Sequence, residues 1–398
     1  MSNKTQQRKF LKKLYHLHAW VGFQLALVMF VILATGTIAT LSNEIDWLVH
    51  EPMRASTPSE KSHSLQAQDW RAMYEAIKAQ YPDSKVLTLG SMGEDYFNYR
   101  ARVTNAQGQG RYVYVDPWTH EVTGETSLLT VQRVFRDLHR YLFMPAFPGL
   151  PIVTAFAFIL LISLYTGLKT TRNWKTALWR IRTQQGARIL LSDLHKVFGL
   201  WGIWFTSVII ITSFWYLFEF GVRVAGSSLE PSAPTVNAVV TQNSPSRFSG
   251  SQLEQGFIQA QQSIDNWTIT AVQFPRDDSS VLRFKGVGDN PLLRERAHKV
   301  DFHPYTLQRL NVQYPGNMTM GNYLNEYADP LHFGYFAGLT SKLIWFVFGV
   351  ALTGLSFTGV LMTWKRTKSA RLTRAQIATL PIFALSAFYF VFWIQRYL

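Results

Sequence analysis

Residues 17–41, LHAWVGFQLALVMFVILATGTIATL, form the stretch that decides the fold, because they contain no Asp, Glu, Lys or Arg. A helix needs about 20 consecutive apolar residues to cross a bilayer, and the block 19–41 meets that length. Four further apolar blocks follow in the chain, at 151–168, 197–220, 343–364 and 377–393. The sequence therefore predicts an α-helical membrane protein with four to five transmembrane helices, the fifth block being the shortest.

The stretch opens with a Leu-His dipeptide that recurs at the edges of the later apolar blocks. None of the other six histidines follows a leucine. An ionisable side chain at the edge of a membrane-spanning segment is costly and usually marks a function, and histidine is the commonest metal ligand. The four candidate ligands are His18, His139, His195 and His332.

The net charge of +14 is concentrated in three segments that carry 16 of the 39 basic residues and no acidic residue. These segments are 1–18, 169–188 and 365–374, and the rest of the chain is close to neutral. An excess of Lys and Arg in short loops marks the cytoplasmic side of a membrane. We therefore expect a multi-pass membrane protein with a cytoplasmic N-terminus and no nucleic-acid partner; the family resemblance described below implies the bacterial inner membrane.

The absence of cysteine limits the cofactors that the chain can hold. It excludes disulfides, thiolate-held iron–sulfur clusters and covalently attached c-type haem. Any haem is therefore expected to be bound non-covalently.

The topology places two regions of about a hundred residues outside the cytoplasm. Each contains an amphipathic segment (70–80 and 253–262) followed by an alternating strand that runs into a Pro-containing turn (112–119 and 300–306). Each region is therefore predicted to be a small α+β domain. We divide the chain into the N-terminus and first helix (1–41), a first external domain (42–136), the second and third helices with their basic loop (137–222), a second external domain (223–331) and the last two helices (332–398).

The membrane segments repeat with a similar spacing. The interval from His18 to Thr35 and that from His195 to Thr212 are both 17 residues, while His139 to Thr166 and His332 to Thr358 are 27 and 26. Gly follows three of these threonines, and Ser213 follows the fourth. The pattern indicates a duplicated unit of span, external domain and span, whose two copies are related by an axis along the membrane normal.

Duplication and topology together pair the histidines. His18 with His195 is predicted to bind an inner haem, and His139 with His332 an outer haem at or above the outer membrane surface. No carboxylate or second histidine lies three or four residues after any of the four, which disfavours a bare metal site. Arg136 and Arg140 flank His139 and could pair with haem propionates, or simply lie at the membrane interface.

Three tryptophans near the ends of the spans, Trp20, Trp201 and Trp345, are interpreted as interface anchors.

The Leu-His motifs resemble those of the PepSY-associated transmembrane family of bacterial iron-regulated inner-membrane proteins. The resemblance is carried by 17–22 (LHAWVG), 138–140 (LHR), 194–200 (LHKVFGL) and 331–334 (LHFG), with the external 115–119 (VDPWT) similar to the PepSY strand and turn. It extends over nearly the whole chain and implies PepSY-like external domains.

Members of this family include ferric-siderophore reductases with two b-type haems. The resemblance thus implies an oxidoreductase that takes electrons from quinol or a cytoplasmic reductase, and reduces a ferric siderophore in the periplasm to release Fe(II). Two other classes remain open at this point: a haem-free PepSY module that regulates a periplasmic partner, and a transporter for iron or siderophore. A transporter is expected to have polar, broken helices at the midplane, whereas these spans are almost uniformly apolar.

Overall fold

The computed structural model describes residues 2–56, 65–236, 248–277, 279–367 and 373–397, so Lys368 and Arg371 of the last basic segment lie outside the described residues. Four helices are long and apolar enough to cross a membrane, and a bent helix pair is a fifth candidate. This confirms the prediction of four to five spans. The four are α6 (Ala146–Thr170), α9 (Ile203–Val224), α12 (Gly338–Thr367) and α13 (Arg374–Gln395).

The first predicted span is divided in two. Helix α1 (Ser2–Gln24) and helix α2 (Ala26–Thr40) meet at Leu25 and are bent by 69°. In the second half of the chain, Gly202 likewise separates α8 (Ala187–Trp201) from α9, which begins at Ile203. Both breaks lie seven residues after a histidine of the predicted inner pair. The sequence suggested continuous spans from these histidines onward, and that detail was wrong, because an uninterrupted apolar run does not reveal a change of helix direction.

Short helices connect the spans with the external part of the chain. Helix α3 (Ser42–Val49) follows α2, α5 (Val131–Tyr141) precedes α6, and α11 (Met320–Phe333) precedes α12. A one-turn helix, α7 (Trp174–Ala177), lies in the loop between α6 and α8.

The segments predicted to be external form one antiparallel sheet of eight strands in the order β4-β3-β2-β1-β5-β6-β7-β8. We predicted two separate small domains, but strands β1 and β5 pair directly, with Leu89 opposite Val272 and Gly90 opposite Ala271. The two four-stranded halves thus share a continuous hydrogen-bond ladder. The strands are β1 (Lys85–Gly90), β2 (Tyr99–Thr104), β3 (Gly110–Val115), β4 (Val122–Ser127), β5 (Thr268–Gln273), β6 (Leu282–Val287), β7 (His298–Phe302) and β8 (Arg309–Gln313).

Two helices cover one face of the sheet, and both coincide with the predicted amphipathic segments. They are α4 (Ala67–Gln80) and α10 (Gly250–Gln261). Their apolar faces bury Trp70 and Leu253 against strand residues such as Val113 and Phe284, in one core that extends across both halves. Because alternate strand residues point to opposite faces, the same strands present Tyr112, Tyr114, Lys299 and Asp301 on the other face, where all four are buried.

The junction between β1 and β5 generates a stability prediction. A methyl group added at Gly90 lies 2.7 Å from Cβ of Ala271 and 2.9 Å from the carbonyl oxygen of Thr270. We expect Gly90→Ala to lower the free energy of unfolding by about 1–3 kcal/mol through overpacking, and to accelerate amide exchange in β5. Gly221→Ala, whose methyl group meets no atom within 4 Å, is the control. Equal stability of the two variants in denaturant titrations would show that the junction is not tightly packed.

Candidate functional site

The four histidines form two pairs. The ring centroids of His18 and His195 are 6.1 Å apart with an angle of 82° between the ring planes. Those of His139 and His332 are also 6.1 Å apart, with an angle of 40°. The structure therefore brings together the partners that the sequence pairs. We call them the inner pair and the outer pair.

Local contacts at helix ends position the helices that carry the outer pair. The buried carboxylate of Asp46 accepts hydrogen bonds from the backbone N–H groups of Val131 (2.7 Å) and Gln132 (2.9 Å), the first residues of α5. This cap satisfies donors that a helix start otherwise leaves free. Helix α11 ends at Gly334, whose φ of +73° favours glycine. His332 thus lies two residues before a fixed turn.

A buried ion pair holds one helix of the inner pair. Asp193, on α8 two residues before His195, accepts hydrogen bonds from Nε and Nη2 of Arg182, both at 2.8 Å. The Arg182 guanidinium lowers the pKa of this carboxyl to about 2. The contact connects α8 with the basic loop that precedes it.

Three of the histidines hydrogen-bond to a threonine on a different helix. Nδ1 of His18 lies 3.0 Å from Oγ1 of Thr166, Nδ1 of His195 lies 3.0 Å from Oγ1 of Thr358, and Nδ1 of His332 lies 2.8 Å from Oγ1 of Thr212. These are the threonines of the sequence repeat. However, they contact a histidine of another helix, and not the histidine from which the sequence interval was counted.

The acceptors determine which ring nitrogen carries the proton. Each of these threonine hydroxyls already donates to the carbonyl four residues earlier, at 2.6–2.8 Å, so its oxygen accepts from the histidine. Nδ1 of His139 lies 2.8 Å from the carbonyl oxygen of Ile32, which can only accept. We therefore assign Nδ1–H to all four imidazoles. Nε2 makes no hydrogen bond with any residue that the structure describes, and its lone pair is available as a ligand.

Glycines make room for the imidazoles, most clearly at the outer pair. A methyl group added at Gly36 lies 2.6 Å from Cε1 of His139, whereas at Gly167 and Gly359 the nearest atoms, in His18 and His195, are 3.4 and 3.8 Å away. A side chain at position 36 would therefore clash with His139 unless the ring moved, whereas a methyl group at position 167 or 359 would make an ordinary van der Waals contact.

A narrow cleft with a cavity volume of about 50 Å³ lies between the helices at the outer pair, and both His139 and His332 line it. Small residues such as Gly36 and Gly349 and aromatic residues such as Phe205 form its walls. Trp345 also lines it, only 7 % exposed, and donates from Nε1 to the carbonyl oxygen of Leu331 at 3.0 Å.

The interpretation of Trp345 as an interface anchor was therefore wrong, since its indole is buried against the chain next to His332. Trp20 and Trp201, at 54 % and 45 % exposed, keep the surface positions expected of anchors. The position of a tryptophan near the end of a span does not show whether its indole is buried in the protein or exposed at the surface.

The outer pair lies deeper than the sequence indicated. His139 bonds to Ile32, eight residues before the end of α2, or about 12 Å below that end at 1.5 Å per residue. The sequence predicts a site at or above the membrane surface because the interval from His139 to Thr166 is too long for one span and prolines interrupt it. In the structure α5 ends at Tyr141 and lies alongside α2, so the imidazole is inside the helical bundle.

Arg136 and Arg140 lie on α5 on either side of His139. Burial lowers the pKa of Arg136, and the neighbouring Arg140 lowers it further. Arg140 lies over the ring of Tyr141, at 5.1 Å. Neither guanidinium forms a hydrogen bond or close ion pair with the described part of the chain.

The nearest carboxylate already has partners. Asp329 accepts from Tyr216 Oη at 2.6 Å and from Arg294 Nη2 at 2.7 Å. Burial acts to raise its pKa, but Arg294, the hydrogen bond from Tyr216 and the nearby charges of Arg296 and Arg140 together outweigh burial, and the pKa is lowered. The two arginines beside His139 therefore leave a positive charge that is not balanced locally.

Comparison with known families covers all four histidines. Residues 15–366 match the family model of the PepSY-associated TM region, which confirms the resemblance found in the sequence. No curated protein matches the chain. Helix α13 lies beyond the matched residues.

The contact at Gly36 can be tested without reference to any ligand. We expect Gly36→Ala to displace the His139 ring and to destabilise the protein by about 1–3 kcal/mol, measured by thermal unfolding in detergent. Gly354→Ala, where a methyl group meets nothing within 4 Å, should unfold like the wild type. A Gly36→Ala protein as stable as Gly354→Ala would contradict the close packing of His139.

Proposed function

Since the chain belongs to the family of the PepSY-associated TM region, we propose that it is a membrane oxidoreductase with two b-type haems. Electrons would pass from the inner haem, held by His18 and His195, to the outer haem, held by His139 and His332. The observation that carries the proposal is that all four partly buried imidazoles have Nδ1 committed to a hydrogen bond, while Nε2 makes none with the residues that the structure describes. Metal-bound histidines commonly have their other ring N–H fixed in this way.

The separation of the rings fits one metal ion within each pair. A metal–nitrogen bond of about 2 Å on each side, with about 1 Å more from nitrogen to ring centre, separates two facing imidazole centroids by about 6 Å. Both pairs measure 6.1 Å.

The ligand count favours haem over a bare metal ion. Structural zinc takes four protein ligands, and among the described residues no group of three or more His, Cys, Asp or Glu could hold a metal. Two histidines suffice where a porphyrin supplies the other four ligands. Haem when bound supplies one-electron chemistry, whose potential the buried surroundings tune.

The chain's own residues would orient the outer group. The cleft beside Gly36 leaves space next to the imidazoles, and Arg136 and Arg140 provide guanidinium donors for carboxylates such as propionates. Thr212 and the Ile32 carbonyl hold the two rings at their Nδ1 atoms, so that Nε2 stays deprotonated.

The direction of electron flow and the substrate are further parts of the proposal. The basic segments favour a cytoplasmic N-terminus, and we propose that the sheet and the outer pair lie on the periplasmic side of a bacterial inner membrane. We propose a ferric siderophore as the acceptor, on the basis of the family resemblance, with quinol or a cytoplasmic reductase as the donor. Fe(III) reduced to Fe(II) is held less tightly by oxygen ligands and is released for uptake.

The first test is cofactor content and electron delivery. Purified wild type should contain two non-covalent haems per chain in a pyridine haemochrome assay. After dithionite reduction, a ferric siderophore should reoxidise it. His139→Ala should retain one haem and lose rapid reoxidation, because the outer pair loses one of its two ligands.

His16→Ala is the matched control, since His16 is an exposed histidine on the same helix as His18 and should keep both haems. A colourless wild-type protein would refute the proposal and favour a haem-free regulatory module or a transporter. Two haems that a ferric siderophore does not oxidise would refute only the substrate.

The angles between the ring planes predict distinct magnetic signatures. Nearly perpendicular imidazole planes bring two iron d orbitals close in energy and so increase the spread of the g values. We expect low-temperature EPR of the oxidised protein to show two low-spin signals. The one with the larger maximum g should belong to the inner pair, at 82°, and should disappear in His18→Ala while the outer signal, from rings at 40°, remains. Loss of the other signal would reverse the assignment.

A further inference from the structure

Helix α13 extends beyond the part of the chain that the family model matches. It is apolar enough to span a membrane. One side of it is lipid-facing in character, with Phe388 and Phe392 more than half exposed. Its other side packs Ile382, Phe383 and Tyr389 against a core cluster that includes Ile32 of α2 and Val153 of α6. It also contacts two helices that carry histidines, α5 and α1.

The first contact is a hydrogen bond between two buried side chains. Nε1 of Trp393 donates to Oδ2 of Asp137 at 2.8 Å. Asp137 lies on α5 two residues before His139. A buried indole N–H needs a partner, and here the partner is part of the ligand-bearing helix.

The second contact supports the strained end of the same helix. Leu142 and Phe143, directly after α5, have φ values of +51° and +58°, which residues with side chains rarely adopt. The ring of Phe143 packs against Phe390 at 4.9 Å and Trp393 at 4.7 Å. Strained backbone persists only where its surroundings hold it, and α13 supplies those surroundings.

Further contacts lie at the two ends of α13. The ring of Tyr397 packs against Trp393, with 4.9 Å between the centroids. The Arg133 guanidinium lies 5.8 Å from the centroid of the Tyr397 ring. At the opposite end, Gln376 donates from Nε2 to the carbonyl oxygen of Phe23, and Thr373 hydrogen-bonds Gln24. Phe23 and Gln24 are the last residues of α1, the helix that carries His18.

We propose that α13 is a strap that fixes the His139 helix relative to the His18 helix, with Trp393 as its positioning residue through Asp137. The relevance of this strap to electron transfer rests on the proposed function, whereas its role in holding α5 in place relative to α1 does not. In the second half of the chain two indoles hold α11: Trp345 on α12 donates to the carbonyl oxygen of Leu331, next to His332, and Trp215 on α9 donates to Oδ1 of Asn325. The strap makes the two outer ligands inequivalent.

The test compares Trp393→Phe with Phe392→Leu in the full-length protein. Trp393→Phe keeps an aromatic ring but removes the donor, while Phe392 is a lipid-facing neighbour on the same helix. Hydrogen exchange followed by mass spectrometry should show amides of residues 131–143 exchanging about fivefold faster in Trp393→Phe, the size expected for one lost buried hydrogen bond. Residues 320–333 should be unchanged, and Phe392→Leu should match wild type.

A spectroscopic measurement separates positioning from general stability. In Trp393→Phe the midpoint potential of the outer haem should shift while that of the inner haem stays constant. Asp137→Asn keeps an oxygen acceptor for the indole and should show wild-type exchange and potential. Asp137→Leu removes the acceptor and should show the same faster exchange and shifted outer potential as Trp393→Phe. The Asp137 variants also serve if Trp393→Phe does not fold.

Unchanged exchange in both Trp393→Phe and Asp137→Leu would overturn the strap and leave α13 as a lipid-facing cover. Faster exchange in a protein without haem would support the strap while the proposed function fails. Faster exchange with unchanged potentials in a haem-loaded protein would overturn the positioning role of Trp393.

Discussion

The hydrogen bond at Nδ1 of each buried histidine is the interaction on which the rest of the site depends. A buried polar group without a partner is costly, and an imidazole free to rotate offers no defined ligand. Here each Nδ1–H finds an acceptor that cannot donate in return, either the Ile32 carbonyl or a threonine hydroxyl already bound to its own helix. The helix breaks, the small residues and the caps all serve to bring these acceptors within reach.

The two halves of the chain follow the same plan but differ in charge. Helix α5 presents Arg136 and Arg140 beside its histidine, whereas α11 presents Asp329, which Arg294 and Tyr216 neutralise. A symmetric arrangement would offer an anionic group two equivalent orientations. The unbalanced arginines on one side select one of them, because carboxylates pair best with guanidinium donors.

Much of this arrangement could be predicted from the sequence, because the information is local. The pairing of His18 with His195 and of His139 with His332 follows from charge placement and repeat spacing. The partners of Nδ1 could not be predicted, since Thr166 reaches His18 across 148 positions and only packing brings them together. The β1–β5 ladder was missed for the same reason, and the bend at Leu25 has no marker in an unbroken apolar run. Trp345 was misassigned because a tryptophan near a span end has the same pattern whether it faces lipid or the core.

The depth of the outer pair has a consequence for substrate choice under the proposed function. With His139 bonded about 12 Å below the end of α2, a large hydrophilic chelate would not reach the histidines themselves. The histidines would then determine the potential of the bound group but not the specificity. Recognition would fall to residues outside the two pairs, such as Arg136 and Arg140 on α5. Variation in substrate among proteins with these four histidines should therefore arise in the sheet and its connecting helices, where it leaves the ligand geometry undisturbed.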